Sequence, residues 1–369
     1  MQYSIMIKPA SGHCNLRCKY CFYIDECNMR DEYSMGMMRP ADAEILVDRV
    51  LDQLSPQDSI TFAFQGGEPT LAGISYFESF TTAVKRHSFT GQVHYALQTN
   101  GFVIDKEWAI FLHQHNFLVG LSLDGPAQYH DANRVDIHGE GTHGQIIKVK
   151  RLFDTYKVEY NILTVLTERA ARHPQEYWNF ILKNKIRYIQ FVPCLAELSG
   201  ENANKSALTP QRFASFYSAL FPLWAKELMQ GNYISVKFFD DLFNLLLHRN
   251  CTACGFTGHC NIQLIVEANG SVYPCDFYVL DEWKLGNIYQ DTLESLKSCD
   301  KGKAFLQRSR TDGLICKTCK YRNFCGGGCP RMEHAMHLTA EKTFCGYKSF
   351  LDQCYPLIDQ VAQYLVRHQ

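Results

Sequence analysis

The sequence lacks several features that would place it in a specialised class of protein. Its formal net charge is −1 over 369 residues, so charge gives no argument for a polyanionic partner or an acidic tail. No apolar stretch approaches the length of a membrane span, and the start has no basic segment leading into a long apolar run, as a signal peptide would. No basic patch interleaved with aromatic residues argues for nucleic acid. We therefore expect an ordinary globular protein in the cytoplasm.

Cysteine, in contrast, is abundant. The chain has 16 cysteines, and they fall in groups, which favours metal clusters over scattered thiols. The first group is Cys14, Cys18 and Cys21, spaced C-x3-C-x2-C, with Tyr20 directly before the third cysteine. Thiolates are the usual ligands of iron–sulfur clusters, and three ligands on a four-iron cluster leave one iron open to a cofactor or substrate.

Two other interpretations of this cysteine loop stay open on spacing alone. Three close cysteines are also half of a zinc site, although His13 is poorly placed to join the same tetrahedron because it is adjacent to Cys14. They are also compatible with a disulfide scaffold, although a long chain without a signal peptide is not typical of one.

Apolar periodicity predicts an alternation of strands and helices in the first half of the chain. Predicted strands cover 3–8, 60–64, 93–98, 117–123, 158–164 and 188–192, and predicted helices cover 40–54, 74–87, 144–156 and 174–184. Such alternation indicates an α/β fold of parallel βαβ units, closed or nearly closed into a barrel. An open doubly wound sheet is the alternative that periodicity does not exclude.

A glycine-rich loop, Gln65-Gly66-Gly67-Glu68-Pro69, follows the second predicted strand. Its two glycines allow the backbone to approach a ligand closely, although the same residues are also typical of a simple tight turn. In βα barrels the chemistry lies at the carboxyl ends of the strands. The loop is therefore a candidate ligand-binding segment.

The last third of the chain contains most of the cysteines, after a helical, apolar stretch at about 200–250. The dipeptide Asn269-Gly270 predicts a hairpin between strands at 262–267 and 271–274. Cys275 and Asp276 follow it. Eight cysteines here allow two sets of four ligands, namely Cys254, Cys260, Cys275, Cys316, Cys319, Cys325, Cys329 and Cys345. Two four-iron clusters and two structural zinc sites both fit this count.

Five cysteines remain outside these groups: Cys27, Cys194, Cys251, Cys299 and Cys354. Buried apolar thiols are the expected state for them. Cys251 is the one that resembles a ligand, because it forms a C-x2-C pair with Cys254.

The cysteine loop resembles the signature of the radical S-adenosylmethionine (radical SAM) enzymes. Together with the segments 65–73, 97–101 and 272–278, it makes essentially the whole chain resemble the anaerobic sulfatase-maturating enzymes. The resemblance implies a partial (β/α)6 radical SAM barrel over 1–200 and a helical bridge over 201–250. It also implies a SPASM domain with two auxiliary clusters over 251–369, ending in a C-terminal helix.

The same resemblance implies three [4Fe–4S] clusters and SAM as cofactors. Cys14, Cys18 and Cys21 would hold the cluster that binds SAM. The auxiliary clusters would be held by two interleaved sets, Cys254, Cys260, Cys275 and Cys329 for the first, and Cys316, Cys319, Cys325 and Cys345 for the second. The positions that match SAM-binding residues are Tyr20, Gln65, Gly66, Gly67, Glu68, Ser122, Arg134 and Leu195.

The implied activity is the oxidation of one Cys or Ser of a sulfatase, in a C/S-x-P/A-x-R motif, to Cα-formylglycine without oxygen. Asp276 matches the proposed catalytic base, and Tyr23 and Gln65 match residues of the substrate pocket. Asp276 is also a residue type that commonly ends a hairpin. A flavodoxin or ferredoxin is the expected electron donor, and the auxiliary clusters would carry electrons or stabilise the fold.

Two other functions compete with this one. A related radical SAM enzyme could modify a ribosomal peptide by thioether or carbon–carbon cross-linking. Such enzymes often carry an N-terminal peptide-recognition domain, which is not expected here because Cys14 lies close to residue 1. A zinc-stabilised binding protein would be colourless and would not cleave SAM.

Overall fold

A computed structural model describes residues 1–198, 205–250, 253–308 and 313–368. The strands are β1 Gln2–Lys8, β2 Ser59–Phe64, β3 Gln92–Thr99, β4 Phe117–Ser122, β5 Glu159–Leu166, β6 Tyr188–Pro193, β7 Ser235–Val236, β8 Ile265–Glu267, β9 Ser271–Tyr273 and β10 Gly286–Asn287. The helices are α1 Phe22–Asn28, α2 Pro40–Leu51, α3 Ile74–Arg86, α4 Lys106–Gln114, α5 Ala127–His130, α6 His143–Tyr156, α7 Pro174–Lys183, α8 Pro210–Met229, α9 Lys237–His248, α10 Leu293–Ser298, α11 Asp300–Leu306, α12 Leu314–Lys317, α13 Arg322–Cys325 and α14 Gly346–Arg367.

The described chain forms two compact units. The first contains Met1–Ser122, Arg134–Tyr160 and Asn261–Arg308, and the second contains Leu123–Asn133, Asn161–Cys260 and Ser309–Gln369 where these are described. Each unit contains segments from more than one of the predicted domains 1–200, 201–250 and 251–369. Those domain boundaries stay a prediction.

The sheet of the first unit has the strand order β10-β9-β8-β1-β2-β3-β4. Strands β8 and β1 to β4 are parallel, whereas β9 and β10 add antiparallel pairs. The period-2 pattern of β2 buries Phe62 and Phe64. Their rings pack edge-on against rings of α3, with 5.0 Å between the ring centres of Phe62 and Phe80 and 4.9 Å between those of Phe64 and Phe77. This packing holds the carboxyl ends of β1 to β4 in place, and the functional loops leave the sheet there.

The predicted hairpin is confirmed as β8 and β9, and it extends the sheet of the first unit. Met6 pairs with Ile265 and Lys8 pairs with Glu267 in parallel register. The turn needs glycine at Gly270, because φ is +81° and a Cβ atom would lie 2.3 Å from the ring of Tyr289. The hairpin brings the segment after β9, which begins with residues 274–276, to the same unit as the cysteine loop.

The second unit contains β6 and β7 with the larger part of β5, and the two long helices α8 and α14. Strands β5, β6 and β7 are parallel. Phe350 of α14 packs among aromatic rings of α8 and α9, which are those of Tyr217, Phe221, Phe238 and Phe239. Helix α14 begins directly after Cys345, whose sulfur accepts a hydrogen bond from the Lys348 N–H at 3.5 Å. Aromatic packing therefore fixes the position of one predicted cluster ligand.

Every predicted strand and helix is present within a few residues of its predicted ends. Helix α4 is not among the predicted elements, although Asp105 caps it by accepting a hydrogen bond from Trp108 N–H. The sheet of the first unit is open at β10, which has one strand neighbour among the described residues. No helix in the described ranges is long and apolar enough to cross a membrane. Cys251 lies outside the described residues.

Candidate active site

The cysteine loop follows β1 and is held by buried polar contacts. The sulfur of Cys14 accepts hydrogen bonds from the Leu16 N–H at 3.4 Å and from Asn100 Nδ2 at 3.7 Å. Arg134 Nη1 lies 4.0 Å from the sulfur of Cys18, and the Arg134 guanidinium lies 5.5 Å from the centre of the Tyr20 ring. The structure therefore brings Arg134, a predicted SAM-contacting residue, to the cysteine loop, which itself contains Tyr20.

Burial disfavours the ionised form of two of these thiols, Cys14 and Cys21. It raises the pKa of Cys14 to about 11, although hydrogen bonds from Leu16 and Asn100 act to lower it. The negative charge of a Cys21 thiolate raises it further. Burial also raises the pKa of Cys21, which Arg134 opposes. Iron–sulfur clusters are bound by thiolates, and bound metal stabilises that form. Three half-buried thiols in one short loop fit such a group.

The glycine-rich loop lies directly on the cysteine loop. Gly67 N–H donates to the Ser11 carbonyl and Glu68 N–H donates to the His13 carbonyl, both at 2.8 Å. A Cβ atom on Gly67 would lie 2.1 Å from the His13 carbonyl oxygen, so only glycine fits there. The need for glycine at this position thus comes from the close approach of two loops.

The Glu68 carboxylate is engaged inside the protein. It accepts hydrogen bonds from Thr70 N–H at 3.1 Å, Thr99 Oγ1 at 2.8 Å and Asn100 N–H at 2.7 Å. Burial raises the pKa of Glu68, and these donors oppose the rise. The side chain ties the ends of β2 and β3 together, so the Glu68 carboxylate holds the loop in place.

The remaining predicted SAM-contacting residues lie at or just after the carboxyl ends of strands. Ser122 ends β4 and accepts a hydrogen bond from Gln98 Nε2 at 3.1 Å. Leu195 follows β6 in the second unit and is buried. Both positions agree with the rule that chemistry lies at the carboxyl ends of the strands.

Three predicted pocket residues, Asp276, Tyr23 and Gln65, contact one another. The Tyr23 hydroxyl donates to Asp276 Oδ2 at 2.7 Å, and Gln65 Nε2 donates to the same oxygen at 2.9 Å. Gln65 Nε2 also lies 2.6 Å from the Tyr23 hydroxyl. The structure thus joins residues from the segment after β9, from α1 and from the loop after β2 into one polar cluster.

Lys8 belongs to this cluster and was not predicted. Its Nζ lies 3.0 Å from Asp276 Oδ1, 3.8 Å from Glu26 Oε2 and 4.4 Å from the centre of the Tyr23 ring. Burial would lower the pKa of Lys8, but the carboxylates of Asp276 and Glu26 outweigh burial and raise it. The signal in the sequence is a lysine at the end of a buried strand, directly before a cysteine loop.

Glu26 is the second buried group that was not predicted. Its side chain is 2% exposed, and Oε1 accepts a hydrogen bond from the Val279 N–H at 3.3 Å. Burial raises the pKa of Glu26 to about 8, and Lys8 opposes the rise. The Glu26 carboxyl therefore keeps its proton to a higher pH than an exposed glutamate would, and Lys8 lies between it and Asp276.

The second predicted auxiliary set comes together within the second unit. Cys316, Cys319, Cys325 and Cys345 line one cavity, with Arg322 and Lys348 beside them. Burial raises the pKa of Cys345 to about 11, and Cys325 and Cys316 add to the rise. Four thiols around one cavity, with two cationic neighbours, fit a fully ligated cluster.

The first predicted auxiliary set is divided between the two units, because Cys275 belongs to the first and the other three to the second. Within the second unit, a Cβ atom on Gly258 would lie 2.2 Å from the Gly326 carbonyl oxygen, so the two chain segments touch there. A Cβ atom on Gly255 would lie 3.6 Å from the Cβ atom of Cys329. These contacts bring the segment of Cys254 and Cys260 next to that of Cys329. The full set stays a prediction.

Three of the four described cysteines outside the sets are buried as predicted, whereas Cys299 is not. Cys27, Cys194 and Cys354 are buried. Cys299 is half-buried and caps α11, with its sulfur 3.3 Å from the Gly302 N–H.

Comparison with known proteins gives the family. Residues 9–170 match the radical SAM superfamily, and residues 254–320 match the SPASM family, described as an iron–sulfur cluster-binding domain. The chain is 39% identical to the cysteine-type anaerobic sulfatase-maturating enzyme of Clostridium novyi (strain NT), with 99% of each chain covered. The chain belongs to the anaerobic sulfatase-maturating enzymes. It is therefore a radical SAM enzyme, and the alternative of a zinc-stabilised binding protein is wrong.

Two further comparisons describe the family around it. The serine-type anaerobic sulfatase-maturating enzyme of Bacteroides thetaiotaomicron is 26% identical, with 99% of this chain and 92% of that protein covered. The structure of native anSMEcpe with bound AdoMet and Cp18Cys peptide is 38% identical with a TM-score of 0.90, covering 99% of this chain and 100% of that one. The α/β fold with radical SAM and SPASM domains is confirmed. Iron–sulfur clusters and SAM, which these families are named for, are confirmed as its cofactors.

Proposed function

We propose that this enzyme oxidises a cysteine of a sulfatase, within a C-x-P/A-x-R motif, to Cα-formylglycine without oxygen. Its family supports the reaction, and its greater identity to the cysteine-type than to the serine-type relative supports cysteine as the target. The observation that carries the proposal is the cluster of Asp276, Tyr23, Gln65 and Lys8 in the same unit as the cysteine loop.

Cys14, Cys18 and Cys21 would hold the cluster that binds SAM. The backbone of Gly66, Gly67 and Glu68 and the side chains of Tyr20, Gln65, Ser122, Arg134 and Leu195 would hold SAM itself. Arg134 suits a carboxylate, because a guanidinium offers two parallel donors. When bound, the cluster and SAM supply the 5′-deoxyadenosyl radical that removes a hydrogen atom from Cβ of the target residue.

Asp276 would act as the base for the target thiol. The cysteine loses a hydrogen atom from Cβ to that radical and a proton from sulfur to Asp276. One further electron leaves, for which an auxiliary cluster would be the acceptor, and the product is a thioaldehyde. Water then replaces the sulfur, leaving the aldehyde of formylglycine and releasing hydrogen sulfide. A carboxylate within hydrogen-bond reach of the thiol is what the proton transfer needs.

Tyr23, Gln65 and Lys8 would position that carboxylate. Two donors on Oδ2 fix the plane of the Asp276 carboxylate, and Lys8 supplies a counter-charge at Oδ1. Because Lys8 is 2% exposed, its ion pair with Asp276 is shielded from bulk water and therefore stronger than at the surface. The base is thus held in one orientation before the substrate arrives.

The second set of four cysteines would hold an auxiliary cluster, whose chemistry is one-electron transfer. We propose that a flavodoxin or ferredoxin docks beside it. Residues 313–348 carry six basic side chains, Lys317, Lys320, Arg322, Arg331, Lys342 and Lys348, against two acidic ones, Glu333 and Glu341. Asp352 pairs with Lys320 and Lys348, so the excess of positive charge rests mainly on the other four. This basic segment suits an acidic electron carrier. The expected location, the cytoplasm, agrees with such a donor.

Mass spectrometry of a peptide containing C-x-P-x-R tests the proposal. The peptide is incubated without oxygen with reduced, cluster-reconstituted enzyme and SAM, beside a matched S-x-P-x-R peptide. We expect formylglycine from the Cys peptide at the higher rate, with 5′-deoxyadenosine formed alongside. Formation of 5′-deoxyadenosine with both peptides unchanged would overturn the sulfatase assignment and favour a ribosomal-peptide substrate.

A further inference from the structure

We propose that Asn100 sets the reduction potential of the cluster held by Cys14, Cys18 and Cys21, through the hydrogen bond from its side-chain amide to the sulfur of Cys14. The proposal rests on the proposed function, since it requires that these cysteines bind the cluster. It assigns to Asn100 a positioning and tuning role rather than contact with the substrate.

The orientation of the Asn100 amide is fixed by its neighbours. Oδ1 accepts a hydrogen bond from the Phe102 N–H at 2.8 Å, so the carbonyl side must face that backbone. Nδ2 then donates to Asn15 Oδ1 at 2.8 Å and to Cys14 Sγ at 3.7 Å. An amide nitrogen has two hydrogens, one for each of these acceptors. Rotating the amide by 180° would lose all three contacts.

The backbone of Asn100 is also held. Its N–H donates to Glu68 Oε2 at 2.7 Å, and the residue is 8% exposed. Gly101, which follows, has φ of +76°, and a Cβ atom there would lie 2.6 Å from Leu121 Cδ1. The amide donor is therefore rigid and shielded from water before any cluster binds.

A donor in this position acts on the charge of the cluster. Reduction adds one negative charge, part of which resides on the cysteine sulfurs, and hydrogen bonds to those sulfurs help to set the potential. In a dry environment such a bond is stronger than in water. The Leu16 N–H also donates to Cys14 Sγ, but Asn100 is the donor whose side chain can be changed. Losing it should make the cluster harder to reduce.

Two variants of the full-length, reconstituted enzyme test this. Asn100→Asp keeps the size and the acceptor for Phe102 but replaces the amide donor with a charged acceptor, and Asn100→Ser removes the donor. Redox titration followed by electron paramagnetic resonance measures the midpoint potential, and the cluster in question is the one whose signal changes when SAM is added. We expect a more negative potential in both variants. At the wild-type midpoint potential, the ratio of reduced to oxidised cluster should fall about tenfold or more in Asn100→Asp.

Thr99→Val is the matched control. Thr99 is the neighbouring residue, and its hydroxyl donates to Glu68 Oε1 at 2.8 Å and accepts from the Gly101 N–H at 3.0 Å. The variant therefore loses two buried hydrogen bonds of the same loop but keeps the amide donor to Cys14. We expect a lower unfolding temperature and an unchanged potential. An unchanged potential in both Asn100 variants would overturn the proposal. So would a shift of equal size in Thr99→Val, or loss of the cluster from both Asn100 variants while Thr99→Val keeps it.

The wild-type enzyme separates this inference from the proposed function. A wild-type signal that responds to SAM, together with formylglycine formation, supports the function whatever the variants do. A reconstituted wild type without any SAM-responsive signal would overturn both, because Cys14 would then hold no such cluster.

Discussion

Asp276 receives its polar neighbours from three separate parts of the chain. Lys8 comes from β1, Tyr23 from α1 and Gln65 from the loop after β2. Each contact fixes one part of the carboxylate, so the role of each neighbour can be examined by removing a single group.

We expect Asp276→Asn to lower the rate of formylglycine formation about 100-fold, since a positioned base contributes on that order. The amide has nearly the same size but does not accept the thiol proton. Iron content and 5′-deoxyadenosine formation should stay close to wild type, as measured by iron assay and chromatography. Tyr23→Phe, which removes one donor to Oδ2, should have a smaller effect. Full turnover in Asp276→Asn would remove Asp276 from the base role.

Glu26 predicts a pH dependence of stability. Its pKa rises from 4.5 to about 8 on folding because of burial. Between these two values the unfolded chain loses the Glu26 proton while the folded protein keeps it, so this group makes stability fall as pH rises through the window. We expect Glu26→Gln to flatten the fall between pH 5 and pH 8 by roughly 3.5 kcal/mol. Thermal unfolding without oxygen, at matched iron content, measures it, and equal slopes for both proteins would contradict the prediction.

At this scale the sequence predicts the residues that stand in recognisable motifs and misses those that do not. Tyr23, Gln65 and Asp276 were predicted together, and they do contact one another. Lys8 and Glu26 were missed, because a lysine in a strand and a glutamate in a short helix are typical surface residues. They become functional candidates only when the fold buries them beside Asp276.

Among the elements, the hairpin of β8 and β9 has the most direct link to the site, because Asp276 follows it. Its turn depends on Gly270. A side chain there would be strained by the positive φ and would also clash with the ring of Tyr289. The hairpin itself was predictable from Asn269-Gly270. Its parallel pairing with β1 was not, because that contact joins residues more than 250 positions apart and leaves no local pattern.

Gly270→Ala should therefore destabilise the protein by about 3 kcal/mol, since strain and a steric clash add. Gly139→Ala is the matched control, because Gly139 has a similar φ of +85° but no atom within 4 Å of an added Cβ. We expect about 1 kcal/mol for the control. Thermal unfolding of both variants measures the difference. Equal losses would show that Tyr289 is not a tight neighbour of the turn.

For the whole molecule, two cysteines test whether the second set binds a cluster. Cys345 directly precedes α14, and Cys354 lies within that helix. Cys345 lines the four-cysteine cavity, whereas Cys354 is buried elsewhere on the helix. We expect Cys345→Ala to lower the bound iron by about four atoms per chain and Cys354→Ala to leave it unchanged. Iron assay after reconstitution measures both. The same iron content in the two variants would contradict the assignment of the second set.

The basic segment around that cavity predicts how an electron carrier binds. Lys317 is exposed, and we expect Lys317→Glu to lower the rate of turnover driven by a flavodoxin about threefold or more, because one attractive charge becomes repulsive. Higher ionic strength should lower the wild-type rate in the same assay. Turnover driven by dithionite is the control and should be equal in both proteins. An unchanged flavodoxin rate would place docking on another surface.

The pairing of β1 with β8 also has a consequence for how the protein is made. Strand β1 is complete when residue 8 leaves the ribosome, but β8, its neighbour on the side opposite β2, ends only at Glu267. At about 5–20 residues per second, roughly 13 to 50 seconds separate the two events. During that time one edge of β1 is unpaired and open to pairing with other chains. The cysteine loop can therefore fold long before Asp276 is synthesised and can pair with Lys8.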